Sequence, residues 1–242
     1  MNTLIITAAH KECDLKADNI HLPLHVGAAL SKNDIGFKRD DSGDNISKLN
    51  PWFSELTGLY WAWRNIDADF IGLEHYRRRF KLPKNWNPKK ETCYLPAKRH
   101  YVIESLYSHY SHTHNELHLV ETEIIIKELC PKYFTAFKDA TGRTSGYMFN
   151  MLIMPKQMLN DYASWLFPIL FELNERVDSS KYSDFDKRFV GRIGEILLNV
   201  WIEKNNPEKI ELPITETGIT WNKKIIKFLK AKFSKIQYES NC

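Results

Sequence analysis

Two hydrophobic periods alternate along this chain. Thr3-Leu-Ile-Ile-Thr-Ala8 is a short continuous apolar run that predicts a buried strand. The polar His10-Lys11-Glu12 that follows is the kind of turn found at the carboxyl end of a strand in α/β folds, where ligands gather. After a loop with Pro23 and Gly27, residues 38–45 carry turn chemistry, because Asp, Ser and Asn side chains bond nearby backbone. Asn50 followed by Pro51 predicts a helix start, with Trp52, Phe53, Leu56, Leu59, Tyr60 and Trp63 as its inner face and an end near Asn65. A second buried strand is predicted at 69–73, and the lysine- and proline-rich stretch 81–100 reads as a surface connection. Helical periodicity returns over 103–129, a strand follows at 149–154, and a helix at 156–177 contains Pro168, which predicts a kink or a division in two. The last long helix covers 185–204 and is stopped by Asn205-Asn206-Pro207. Strands alternating with helices predict an α/β domain whose later helices form a lid or subdomain.

Composition narrows the class. The 242 residues are 43% hydrophobic and 26% charged, enough to bury one large core or two small ones, so disorder is not expected. Cys13, Cys93, Cys130 and Cys242 lie far apart with no C-x-x-C spacing, which suggests neither a zinc ribbon nor a disulfide framework. No basic leader and no run of about 20 apolar residues is present, so a cytoplasmic protein is expected. Residues 221–242 hold six lysines and one acid; this +5 exceeds the whole-chain +4 and leaves about −1 elsewhere. Within 221–238, Trp221, Ile225, Ile226, Phe228, Leu229, Phe233 and Ile236 share one helical arc opposite most of those lysines. Such a helix either lies on an anionic membrane surface or docks on the domain with its lysines solvated. With no basic surplus in the rest of the chain, nucleic acid is not an expected partner. The resulting division is a body of residues 1–214 and a basic amphipathic tail of 215–242.

Candidate chemistry concentrates in two places. His75, Arg77, Arg78 and Arg79 follow an apolar strand, and guanidinium groups there could bind a diphosphate and neutralise it as it departs. The bland reading is a surface cluster balanced by Asp40, Asp41 and Asp44. On the last helix, Arg188, Arg192, Glu195 and Asn199 form a polar stripe, in which Glu195 is either a general base toward a hydroxyl or one half of a surface ion pair. His114 and His118 stand at i, i+4 within a His-rich stretch that also holds His109 and His112, but two ligands do not make a zinc site. Asp67-Ala-Asp69 is formally a D-x-D, yet it precedes its strand and reads as a turn. The phosphate-loop, dinucleotide and serine-hydrolase motifs are absent.

Seven blocks in order resemble a bacterial capsular and exopolysaccharide glycosyltransferase family long described only as a domain of unknown function. They are Thr7 to Lys11, Leu22 to Ala28, Asp40 to Ser47, Asn50-Pro51 with Glu55 to Trp63, Gly72 to Arg78, Tyr147 to Met154, and Arg188 to Trp201. The resemblance spans residues 1 to about 214 and implies a single GT-A-like nucleotide-sugar-binding α/β domain with a mostly parallel central sheet and a helical C-terminal part. It implies sugar transfer, as in galactofuranosyltransferase-like members, from a UDP-sugar to a polyprenyl-diphosphate-linked glycan on the inner face of the membrane. Inversion at the anomeric carbon would follow if the product linkage is β. Donor contacts would come from Thr7, His10, Lys11, Asp41, Asp44, Asn45, His75, Arg77 and Arg78. Glu195 and Arg188 would be catalytic, and Glu55, Asn150 and Arg192 would meet the acceptor. Glu74 and Arg79 depart from the residues usual around this His-Tyr-Arg-Arg block. The arginines would reduce the need for a divalent metal, so no cofactor is required, although metal dependence stays open. The competing readings are a phosphotransferase or nucleotide-sugar hydrolase using the same cationic cleft, and a non-catalytic basic binding module.

Overall fold

Continuous apolar runs become strands covered on both faces. The computed structural model describes residues 1–216; the expected tail helix at 221–238 and its membrane contact lie outside the described residues. Eleven strands are described: β1 (Thr3–Ala9), β2 (His21–His25), β3 (Lys38–Arg39), β4 (Phe70–His75), β5 (Arg78–Phe80), β6 (Cys93–Pro96), β7 (Arg99–His100), β8 (Ser145–Gly146), β9 (Leu152–Pro155), β10 (Lys209–Leu212) and β11 (Ile214–Glu216). The helices are α1 (Asn50–Phe53), α2 (Leu56–Asn65), α3 (Leu106–Thr113), α4 (Leu117–Leu129), α5 (Phe134–Gly142), α6 (Lys156–Arg176) and α7 (Phe189–Asn205).

The main sheet runs β10-β6-β9-β4-β1-β2-β3, with β5 and β11 added beside β4. β1 pairs in parallel with β2 and β4, β2 with β3, and β6 with β10; β9 runs antiparallel between β4 and β6. Strand alternation splits the core. Ile6, Ala8, Leu24, Ile71, Leu73 and Met154 face the helices, while Ile5, Phe70, Tyr94, Met151 and Ile153 face the opposite side. Because β11 spans the boundary expected at 214, the sheet claims the chain through Glu216.

Several local expectations are corrected. The stretch 81–100 is no bare surface connection, since Cys93–Pro96 is a buried strand between β9 and β10. The helix expected from Asn50 to Asn65 breaks at Ser54, which has φ 52°, and Asn50 does not cap it. Instead the Asn50 amide donates to the Ser54 carbonyl and to Thr57 Oγ1, stapling the break from within. The helix expected over 103–129 is also two helices, because the chain is extended at His114. In contrast, α6 continues past Pro168, where buried Leu166, Phe167, Ile169 and Leu170 hold the helix against the lost backbone bond.

Candidate functional site

Parallel pairing brings three strand ends to one edge. Ala8 lies opposite His75 and Ala9 opposite His25, so the residues following β1, β2 and β4 emerge side by side. Tyr76 fixes them there: its amide donates to the Ala8 carbonyl at 3.0 Å, and its ring gathers the neighbouring cations. The His75 ring lies 4.5 Å from it and the His10 ring 5.5 Å, while the Arg77 guanidinium and Lys11 ammonium stand 5.3 and 5.7 Å from its centre. Arg188 joins this group from the start of α7, donating through Nε to Ser54 Oγ at 3.1 Å. Burial and then the charges of Arg77, Arg78, His10 and Arg188 push His75 down to about 3. His10 is lowered by burial, then by Arg188 and Arg77. This edge concentrates positive charge, an arrangement that can attract an anion.

A pair of carboxylates lies next to it. α7 approaches the Ser54 break through glycine: a methyl group on Gly191 would stand 3.1 Å from the Phe53 carbonyl oxygen, and one on Gly194 would stand 2.6 Å from Leu56 Cδ1. The close approach brings Glu195 toward Glu55, the residue immediately after the break. From below comes the turn into β9, where Phe149 and Asn150 have φ of 73° and 52°. Asn150 Nδ2 donates to Glu55 Oε1 at 2.8 Å and to the Gly191 carbonyl at 2.9 Å. Glu195 is raised to about 7, first by desolvation and then by the charge of Glu55, against a backbone hydrogen bond from Phe149 and the cations Arg78 and Arg192. A carboxyl poised there can take a proton from a hydroxyl near neutral pH.

The arginines after β4 separate. Arg78 packs its guanidinium 4.1 Å from the centre of the Phe149 ring and pairs with Glu216 at 3.2 Å, so it stands between the cationic edge and Glu195. Arg79 turns away to buried Glu74 at 2.8 Å, whose other carboxylate oxygen accepts from the Phe80 amide. The two positions expected to depart from the family pattern are therefore partners of each other. Arg192 donates to the Phe185 carbonyl at 2.8 Å and covers the Phe185 ring. Arg188 belongs with His10, His75 and Arg77 in its electrostatic effects, whereas the cations acting on Glu195 are Arg78 and Arg192.

Other expected site residues are occupied elsewhere. Thr7 is fully buried and donates to Glu74 Oε1. Asp41 pairs with Arg39, Asp44 with Arg64, and Asn45 bonds within its own loop. None of these acids balances the arginines after β4. Asp40 is buried and receives the Gly27 and Ala28 amides and the hydroxyls of Ser47 and Thr57, which ties the 38–47 loop to α2. His114 ends α3 while His118 lies in α4, so their spacing never becomes one helix face. His109 and His112 each bond Glu104 at 2.7 Å, and His118 bonds Tyr110 and Tyr182. Asp67 pairs with Lys156, and Asp69 accepts from the Asn2 amide at the opposite edge of the sheet. Among the described residues, no group of three or more His, Cys, Asp or Glu converges as a metal site.

Sequence reasoning missed Tyr76, Ser54 and Phe149 as organisers. Tyr76 stands inside the quoted Gly72 to Arg78 block, but positive φ at Ser54 and Phe149 leaves no mark in residues that ordinarily avoid it.

The chain is similar to a solved structure titled "WbbM bifunctional glycosyltransferase apo structure", with TM-score 0.83 and 30% identity over 90% of this chain. The match covers 46% of that protein, so this chain spans about half its length. It carries the GT-A-like α/β fold with a mostly parallel central sheet that the sequence implied. No curated protein matches. The model of the family described as "Domain of unknown function (DUF4422)" matches residues 4–206, and the chain belongs to that family.

Proposed function

We propose that this protein is a glycosyltransferase that moves a sugar from a UDP-sugar, with galactofuranose the leading candidate, to a hydroxyl of a lipid-linked surface-glycan intermediate. The observation that carries the reading is the juxtaposition of a cationic strand edge with a carboxyl poised at about 7. Similarity to a bifunctional glycosyltransferase supports it. His10, Lys11, His75, Arg77, Arg78 and Arg188 take the diphosphate. Glu195 accepts the proton of the acceptor hydroxyl as its oxygen bonds to the anomeric carbon, and the bond from that carbon to the diphosphate oxygen breaks. The electron pair leaves on UDP, whose growing charge the guanidinium groups stabilise in place of a divalent ion. A single displacement of this kind inverts the anomeric carbon. The cytoplasmic face of the membrane is where such an acceptor would be met. Among the described residues, no helix is long and apolar enough to cross a membrane.

The test is thermal shift of the full chain with UDP, UDP-galactose, UDP-glucose and UDP-galactofuranose, each with magnesium or EDTA, followed by product analysis with a polyprenyl-diphosphate glycan. Stabilisation by one UDP-sugar and acceptor-dependent UDP release are expected, with Glu195→Gln retaining donor binding while losing roughly 10²–10⁴-fold in rate. Rapid donor hydrolysis indifferent to acceptor would favour a hydrolase. Absence of any UDP or UDP-sugar shift would overturn the reading.

A further inference from the structure

Asn150 does more than line the site. It is buried, it sits second in a pair of left-handed residues, and its amide nitrogen is shared between Glu55 Oε1 and the Gly191 carbonyl. Those two acceptors fix the orientation of the amide, because the reverse assignment would set oxygen against oxygen. The opposite side of the amide faces α7, where Oδ1 lies 3.1 Å from where a methyl group on Gly194 would be, and it has no hydrogen-bond partner among the described residues. A buried polar atom without a partner costs free energy, so the site retains an asparagine here at a stability loss. Backbone conformation alone does not require it, since glycine adopts φ 52° without strain.

We propose that Asn150 is a positioning residue that holds Glu55 against Glu195, so that the two carboxylates remain a close, unequal pair, one anchored by an amide and one exchanging the proton. This inference deepens the glycosyltransferase reading and assigns Asn150 a role beyond the acceptor contact expected for it. Glu55 follows directly on the strained Ser54 and is half-buried, so without the amide its carboxylate would swing outward to relieve repulsion and gain water. The groups facing Glu195 are Glu55 from the α1–α2 break, Arg78 from β5, Arg192 from its own helix and the Phe149 backbone amide; Tyr101 and Tyr110 also feel its charge. Asn150 bonds Glu55 and the Gly191 carbonyl, so its removal acts on Glu195 through Glu55.

The experiment needs no substrate. Carboxyl-labelled glutamate in the full chain is titrated by ¹³C NMR, with the Glu195 resonance assigned by its loss in Glu195→Gln. In the unsubstituted protein it titrates near 7, and Glu55→Gln lowers that midpoint by removing the like charge. Asn150→Gly, which keeps the left-handed backbone, is expected to lower it in the same direction, whereas the double variant with Glu55→Gln shows no further fall. With the best UDP-sugar and acceptor, Asn150→Gly lowers kcat about tenfold or more, leaves donor KM unchanged and moves the acidic limb of the rate profile downward. A folded Asn150→Gly whose Glu195 midpoint stays near 7 overturns the proposal. Should that variant not fold, Asn150→Ala is titrated instead: its methyl group can donate to neither acceptor, and an unmoved midpoint there is equally fatal. Because the titration is independent of transfer, a moved midpoint in a protein without transferase activity would sink the glycosyltransferase reading alone.

Discussion

The strand edge around Tyr76 and the α3–α4 region are both rich in histidine, yet they treat charge in opposite ways. On α3, one carboxylate, Glu104, bonds both His109 and His112 and is itself held below the usual carboxylate range by them. On α4, His118 is satisfied by two tyrosine hydroxyls and stacks 4.5 Å from Phe189. Those three rings find hydrogen-bond partners within the region. At the strand edge, the charged neighbours that depress His75 are all basic, and the nearby acid Glu74 is engaged by Arg79, Thr7 and Phe80. Residue type alone therefore does not mark a site; the regions differ in which groups act on their histidines, carboxylate and tyrosine hydroxyls at His109, His112 and His118 but guanidinium charges at His75.

The largest break in this comparison comes from the arginines. Arg77→Ala combined with Arg78→Ala should weaken UDP-sugar binding by about 3 kcal/mol or more, taking roughly 1.5–3 kcal/mol for each hydrogen bond to a charged group. Isothermal titration would read that as a loss above a hundredfold, while His109→Ala with His112→Ala should leave the affinity unchanged. Arg79→Ala belongs to neither set. It leaves the buried Glu74 carboxylate without its guanidinium, so its expected signature is a lower unfolding midpoint rather than selective loss of donor binding. Equal effects of the Arg77/Arg78 and His109/His112 pairs on affinity would abolish the distinction drawn between the two regions.

How much of this was legible in sequence depends on whether a local pattern or a distant neighbour sets the geometry. β1 and β4 could be read because strands buried on both faces are continuous apolar runs, and the polar residues after them do emerge side by side. β6 could not: its four residues sit among lysines and prolines, and only β9 and β10 make them a strand. The break at Ser54 escaped because Trp52 to Trp63 fits one helical arc. Its cause is tertiary, a fit among Asn50, Arg188 and the glycine face of α7. For the same reason Glu55, Asn150 and Glu195 could be singled out individually through a family resemblance, while their hydrogen-bonded arrangement could not.

A smaller effect sharpens the comparison through pH. Burial holds His75 and His114 near 3 and His118 near 4, below the ordinary 6.5. The unfolded chain thus binds more protons, and the stability these groups contribute is complete above 6.5 and lost as pH falls toward 4 and 3. Glu195 has the opposite sign. Raised from 4.5 to about 7, it favours the folded state when protonated, and that contribution disappears as pH rises through this window, by an upper bound of about 3 kcal/mol. Urea unfolding of Glu195→Gln should therefore show a gain over the unsubstituted protein at pH 8 that vanishes at pH 4.5. Bound diphosphate should lift His75 selectively, since the anion offsets the arginines around it, while His114 and His118 remain where they are. NMR titration of the three rings with and without UDP distinguishes a ligand edge from a closed network; equal movement of all three would remove the contrast.

The smallest expected effect is at Asp67 and Asp69, one of two D-x-D spacings in the chain, the other being Asp184 and Asp186. Their position at the amino end of β4 sets them a full strand length from His75, and each is committed locally, Asp67 to Lys156 and Asp69 to the Asn2 amide. Asp67 is 94% exposed, so solvent screens its ion pair and the pair adds little to stability. Asp67→Asn should leave donor affinity, transfer rate, their response to magnesium or EDTA, and the unfolding midpoint unchanged. A loss of magnesium response in Asp67→Asn would move the donor to the other edge of the sheet. The basic groups around Tyr76 would then need a role other than holding a diphosphate.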